Sequence, residues 1–278
     1  MAKQHERRGR TLAQAVHAAV VIARNAVTGG SLQALALATE PRRMAGYIAE
    51  SRFLFRTYAD RRGLPQRPVH EVLGGGGEQD IRLGNLEGET WFGPTASYLT
   101  DIVSLCMICR ILRPARVFEI GTLHGYTALH FALNSPDDAI IFTLDLPRGG
   151  GAQPSLPTTI MDAMHVDASL AAQRRCFEGL PVESRIRPLY GDSATFDFSP
   201  YHDSIDLFFI DGAHSYDYVR SDTERALKCV RPGGVIAWHD FGRAGVNGVS
   251  RWLLEMQRDG RAIYSVPGGS LAFMVAPD

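Results

Sequence analysis

Cysteine is scarce in this chain. Its 278 residues include four, too few and too irregularly spaced for a disulfide framework. Cys106 and Cys109 have the C-x-x-C spacing, but they lie in the apolar stretch 98–112 and no second pair follows. They read as buried, reduced thiols rather than a zinc or redox site, which points to a reducing compartment and a cytoplasmic location. Long apolar runs are also missing. Residues 12–23 follow a charged start like the core of a signal segment, yet Gln14 and His17 interrupt them, and no cleavage site or spanning stretch follows. Stable membrane insertion is therefore not expected. Nor is there an excess of charge: 29 Lys and Arg against 30 Asp and Glu give a net −1, which offers no global reason to expect nucleic acid. The imbalance is local, with 12 basic and 4 acidic residues between positions 3 and 67. Solvated helix faces account for that arm most simply. An acidic surface of another subunit, an anionic substrate or a membrane surface are the alternatives.

What is present is a globular pattern. A hydrophobic content of 45% lets the chain bury a substantial core, as one large domain or a domain with an appendage. Residues 11–27 and 41–60 carry helical spacing, and residues 61–89, punctuated by Pro65, Pro68 and four glycines at 74–77, read as an irregular connector. We expect residues 1–90 to form a helical appendage that covers the rest of the chain or makes a homo-oligomer contact. Residues 91–278 form the main domain. There a helix at 98–112 precedes alternating runs: strands at 117–120, 139–144, 185–190, 205–210 and 234–239, and helices at 126–133, 169–178, 216–230 and 246–258. Such alternation indicates an α/β, Rossmann-like doubly wound parallel sheet. Two last runs, 261–266 and 270–275, flank Pro267-Gly268-Gly269 and predict an antiparallel hairpin, making a seven-stranded sheet.

The most informative stretch is 115–132, ARVFEIGTLHGYTALHFA. It reads as strand, tight loop and helix, with glycines where a backbone approaches a ligand and a helix start that presents free N–H groups. Glu119 stands where a dinucleotide-binding loop would have glycine, so a pyrophosphate would meet a carboxylate. A cationic or hydroxyl-rich ligand suits it better. Elsewhere the strands end in chemistry: Asp145, whose carboxylate can accept two ribose hydroxyls; Asp192-Ser193; Asp211 with His214; and His239-Asp240. Asp192 also reads as a turn cap, His239 as a core imidazole and Asp240 as a cap toward Gly242. Asn247 lies near the same rim and reads as a helix cap. The long Gly/Pro-rich connection 147–167, with Met161, Met164 and His165, has the character of a substrate lid, and residues 91–95 could fold over a cofactor.

The E-x-G-x-x-x-G loop, the acids at the strand ends and Arg231-Pro-Gly-Gly resemble the class I S-adenosylmethionine (SAM) methyltransferases. Within them the chain is similar to the metal-dependent small-molecule O-methyltransferases of the catechol, caffeoyl-CoA and macrolide-sugar type. The resemblance runs from about residue 93 to the C-terminus. It implies that Glu119, Gly121, Thr122, Gly125 and Tyr126 surround the methionine part of SAM, that Asp145 holds its ribose and Asp192 and Ser193 its adenine, with Asp211 also beside the cofactor. It implies further that Asp211 and Asp240, with His239 as a third ligand, hold a divalent cation, Mg²⁺ suiting the carboxylates. His214 falls where those families have the lysine or histidine base. Phe241 departs from the pattern, because the catechol-type enzymes have an amide there. The implied activity is methyl transfer to a hydroxyl of a small molecule, such as a sugar or natural-product intermediate. Two rivals remain: a nicotinamide-dependent oxidoreductase, and a non-catalytic SAM-binding or assembly protein.

Overall fold

The computed structural model describes residues 63–76, 78–84, 96–147, 154–159, 162, 174–243 and 246–277. The expected helices at 11–27 and 41–60, the segment 91–95, His165 and most of the connection after residue 147 lie outside this set. All described residues belong to one compact unit within residues 50–278.

Seven strands form one sheet in the order β3-β2-β1-β4-β5-β7-β6. They are β1 (Arg116–Ile120), β2 (Ile140–Asp145), β3 (Ile186–Tyr190), β4 (Ile205–Ile210), β5 (Val230–Trp238), β6 (Tyr264–Ser265) and β7 (Ala272–Val275). The helices are α1 (Val69–Leu73), α2 (Ala96–Leu112), α3 (Tyr126–Asn134), α4 (Tyr216–Cys229) and α5 (Asn247–Arg258). β1 pairs in parallel with β2 on one side and β4 on the other, and β7 enters antiparallel between β5 and β6. Chain order therefore reverses at the β1/β4 junction, the place where open α/β sheets bind ligands.

The apolar runs are continuous because both faces of the sheet are covered. Phe118, Phe208, Ile236 and Trp238 face a core completed by Val219 and Ala226 of α4 and Leu253 of α5. Their strand neighbours Val117, Leu207, Phe209, Val235 and Ala237 face the opposite core, with Leu105 and Ile108 of α2 and Leu129 and Phe131 of α3. Every residue of β4 is buried. At about 1.5–3 kcal/mol for each large apolar side chain removed from water, this strand anchors both layers. Phe118 and Phe208 stack at 4.9 Å between centroids.

The structure departs from the expected elements in four places. Residues 174–178, read as the end of a helix, form a bend and turns instead. The connector 61–89 contains the short helix α1, and Gln66 bridges to Ser265, so part of it joins the sheet edge. β5 begins at Val230 rather than 234, absorbing Arg231-Pro-Gly-Gly through a register irregularity opposite Ile205 and Leu207. β6 is only two residues long. All four cysteines are free, and burial pushes the Cys106 thiol up to about 12, as expected of inert buried thiols. No described helix is long and apolar enough to cross a membrane.

Candidate active site

A crevice opens outside the carboxyl ends of β1, β2 and β4. Its lining includes Gly121, Asp145, Asp192, Ser193, Asp211 and Tyr218. Of the nine residues proposed to hold the cofactor, Gly121, Asp145, Asp192, Ser193 and Asp211 meet here. Gly121 adopts φ +98°, and a Cβ there would stand 2.0 Å from the carbonyl oxygen of Asp211, so only glycine lets the β1 loop lie against the end of β4. Asp145 accepts from the Leu123 and Leu146 amides at 3.0 and 2.8 Å and pairs with the buried Arg175 at 3.3 Å. Asp192 accepts from the Ala194 amide at 3.0 Å, the Tyr218 hydroxyl at 2.9 Å and the Ser155 amide at 2.8 Å. It is thus both the expected turn cap and a tie to the connection after β2.

Glu119, Thr122, Gly125 and Tyr126 are not part of this lining. Glu119 is buried beneath the loop, where its Oε2 accepts from the Thr143 hydroxyl at 2.5 Å. Burial pushes its carboxyl well above the usual range, only partly offset by Thr143. The expectation of a rim carboxylate at position 119 therefore needs correcting in this structure. Because both faces of the sheet are covered, the Glu119 side chain is buried whichever face it takes, and Asp145, Asp192 and Asp211 supply the crevice with its carboxylates. Thr122 is likewise turned inward, its hydroxyl 2.6 Å from that of Thr143, and Gly125 is the N-cap of α3, packed against Phe177.

Beside the crevice the ends of β4 and β5 bring four expected residues together. Donor atoms of Asp211, His214 and Asp240 lie within 4.8 Å of one another. His239 Nδ1 stands 3.2 Å from Asp211 Oδ1 and 3.3 Å from Asp240 Oδ1, so His239 faces this cluster instead of sitting as a core imidazole. His214 Nε2 is 3.0 Å from Asp240 Oδ2, and its Nδ1 is 2.7 Å from Asp162 Oδ1. Burial favours neutral His214, but its hydrogen bonds to Asp162 and Asp240 prevail and push it up to about 10. Burial would raise Asp240, but His239 and His214 hold it well below the carboxylate range. Asp240 also adopts φ +63°, a strained conformation for a non-glycine residue and common at functional sites.

Local packing fixes this geometry. Ser215 caps α4 by accepting from the Tyr218 amide at 3.3 Å. A Cβ on Gly248 would lie 2.3 Å from both the His214 carbonyl oxygen and the Tyr216 amide, so α5 can press against the His214 loop only with glycine there. The N-cap of α5 is Val246 rather than Asn247.

The donor set suits a divalent cation. It combines carboxylate oxygens with imidazole nitrogen, and the buried Asp240 Oδ1 has no hydrogen-bond partner, although Arg243 Nη1 is 2.9 Å away. Sequence reasoning missed three contributors: Asp101, Asp162 and Arg175. Asp101 was the one acid in an otherwise apolar helix, and Asp162 lay in the connection already singled out as a lid. Arg175 carried no signal.

Residues 118–241 match a family model described as a methyltransferase domain. A caffeoyl-CoA O-methyltransferase from Stellaria longipes is 29% identical over 139 residues, 48% of this chain and 49% of that protein, so the chain spans about half the length of the curated relative it matches. Among solved structures, an O-methyltransferase from Streptomyces achromogenes involved in tomaymycin synthesis, in complex with SAM, is 21% identical, covering 67% of this chain and 84% of its own with a TM-score of 0.45. An O-methyltransferase from Bacillus cereus in complex with SAH is 19% identical, covering 63% and 80%, with a TM-score of 0.43.

Proposed function

We propose that this chain, whose residues 118–241 match a methyltransferase-domain model, is a class I SAM-dependent methyltransferase that transfers the methyl group of SAM to a hydroxyl of a small molecule, a sugar or natural-product intermediate. The observation that carries this reading is the convergence of Asp211, His214, His239 and Asp240 at the edge of the crevice that Asp145 and Asp192 line. Carboxylates in the crevice suit the ammonium and sulfonium of SAM and the hydroxyls of its ribose, and the antiparallel β6–β7 hairpin is less typical of a nicotinamide-binding domain.

At the rim, Asp211, Asp240 and His239 would hold a divalent cation. When bound, such an ion lowers the pKa of an acceptor hydroxyl and orients it. His214 is the proposed base. It has Asp162 on Nδ1 to fix the ring and Nε2 toward the rim, where an acceptor proton would arrive. Both nitrogens face carboxylates, which favour the protonated ring, so His214 acts as base only after releasing a proton. Substrate that displaces Asp240 from Nε2 would leave an Asp162–His214 pair suited to that task.

Two measurements test the proposal. Calorimetry should show SAM binding and no comparable binding of NAD. His214→Gln should keep its SAM affinity while turnover on a panel of hydroxylated acceptors falls by about 10²–10⁴. Full turnover in that variant removes the base, and failure to bind SAM at saturating concentration removes the methyltransferase reading itself. Assays with and without chelator address the ion.

A further inference from the structure

Asp101 lies in α2, remote in sequence from both rim strands, and is 1% exposed. Its carboxylate accepts from the Ser270 amide at 2.9 Å, the Ser270 hydroxyl at 2.7 Å and the Leu271 amide at 3.0 Å. The approach is so close that a Cβ on Gly269 would stand 2.1 Å from Asp101 Oδ1. A carboxylate with these donors is an acceptor only, and His239 Nε2 stands 3.2 Å from its other oxygen. His239 must therefore donate from Nε2. That leaves Nδ1 turned toward two further carboxylate oxygens, Asp211 Oδ1 at 3.2 Å and Asp240 Oδ1 at 3.3 Å.

Something positive must stand between Nδ1 and these oxygens: either a proton, which burial opposes but Asp211 and Asp240 favour, or a metal cation. Asp240 Oδ1 is buried and makes no hydrogen bond of good geometry, with Arg243 Nη1 2.9 Å away. A cation held by Nδ1 and the two carboxylates would take the place of that proton and leave the bond to Asp101 intact. An imidazole whose far nitrogen donates to a fixed carboxylate is the usual arrangement behind a metal ligand, where the outer acid sets the tautomer and strengthens the donor. An imidazole in the set also favours a borderline transition metal over Mg²⁺, which binds through hard oxygen ligands.

We infer that Asp101 is a positioning residue that orients His239 as a nitrogen ligand, so that the Asp211–His239–Asp240 centre takes a divalent transition metal of the Mn²⁺ to Zn²⁺ series rather than Mg²⁺. The inference rests on reading the β4–β5 rim as a metal centre and is independent of the methyl acceptor. It also makes the turn between β6 and β7, through Ser270 and Leu271, part of the support of that centre.

The test is metal binding by the full-length protein after chelator treatment, without SAM. Co²⁺ is followed by its visible absorption and Mn²⁺ and Mg²⁺ by calorimetry. The wild type should bind Co²⁺ and Mn²⁺ at one site more tightly than Mg²⁺. His239→Gln should lose that preference mainly through weaker Co²⁺ binding. Asp101→Asn should weaken Co²⁺ by about 10- to 100-fold and shift its absorption bands, because the amide cannot hold the same tautomer. Ser270→Ala, which removes one donor from Asp101, should weaken Co²⁺ in the same direction by a smaller factor. Wild-type Co²⁺ binding in folded Asp101→Asn, or Mg²⁺ preference in the wild type, overturns the inference, and His239→Gln decides alone should Asp101→Asn fail to fold. SAM binding measured on the same samples separates the two readings. SAM without Co²⁺ binding defeats only this inference, and Co²⁺ without SAM binding defeats only the methyl-transfer reading.

Discussion

Asp222 shows how much a single buried acid can control. It lies in α4, fully buried, and neither carboxyl oxygen makes a hydrogen bond of good geometry. Burial pushes its pKa to about 7, with only partial relief from the nearby Ser193 hydroxyl. Because the folded value lies above the ordinary one, its contribution to stability is complete below the unfolded pKa and is lost as pH rises through about 7. Asp222→Asn should therefore gain stability over the wild type as pH increases from 5 to 8, on the order of a few kcal/mol at the upper end. Urea unfolding at both pH values checks this, and an equal difference at both would contradict it. Glu119 teaches the same lesson from the other side. Its identity was plain in the sequence, but its burial against Thr143 reversed the inference drawn from its charge.

Strands were more legible than the contacts between elements. β4 coincides with the expected run 205–210 because an apolar stretch between two neighbours admits one placement. The helix expected at 169–178 is a turn where the structure describes it, since Arg175 is drawn to Asp145 and Phe177 to Gly125. Such long-range partners leave no trace in local periodicity. The same is true of the seating of α5 on the His214 loop. Gly248→Ala should cost about 1–3 kcal/mol through overpacking against His214 and Tyr216. It should also lower methyl transfer more than it weakens SAM binding, since the displaced group is the proposed base. Denaturant unfolding together with a kcat and SAM-affinity comparison would show it; a variant as stable and active as the wild type would mean the loop yields freely.

Across the whole molecule, two hydrophobic layers hold the sheet while its strand ends carry the site, so a ligand of the crevice should act on global stability. SAM at about 100 times its dissociation constant should stabilise the fold by about 2.7 kcal/mol, and NAD should not. A thermal scan with each cofactor measures the difference, and a shift with NAD alone would favour the oxidoreductase. The alternation of apolar runs determined the sheet, its terminal hairpin and the presence of acids and imidazoles at the strand ends, because those properties follow from side-chain period and chain order. Tertiary structure alone decided that Glu119 is buried with its carboxyl pushed well above the usual range, that Asp162 holds His214, and that Asp101 turns His239 toward Asp211 and Asp240. Burial and hydrogen-bond partners are set by residues far apart in the chain, and they determine what a given carboxylate or imidazole can do.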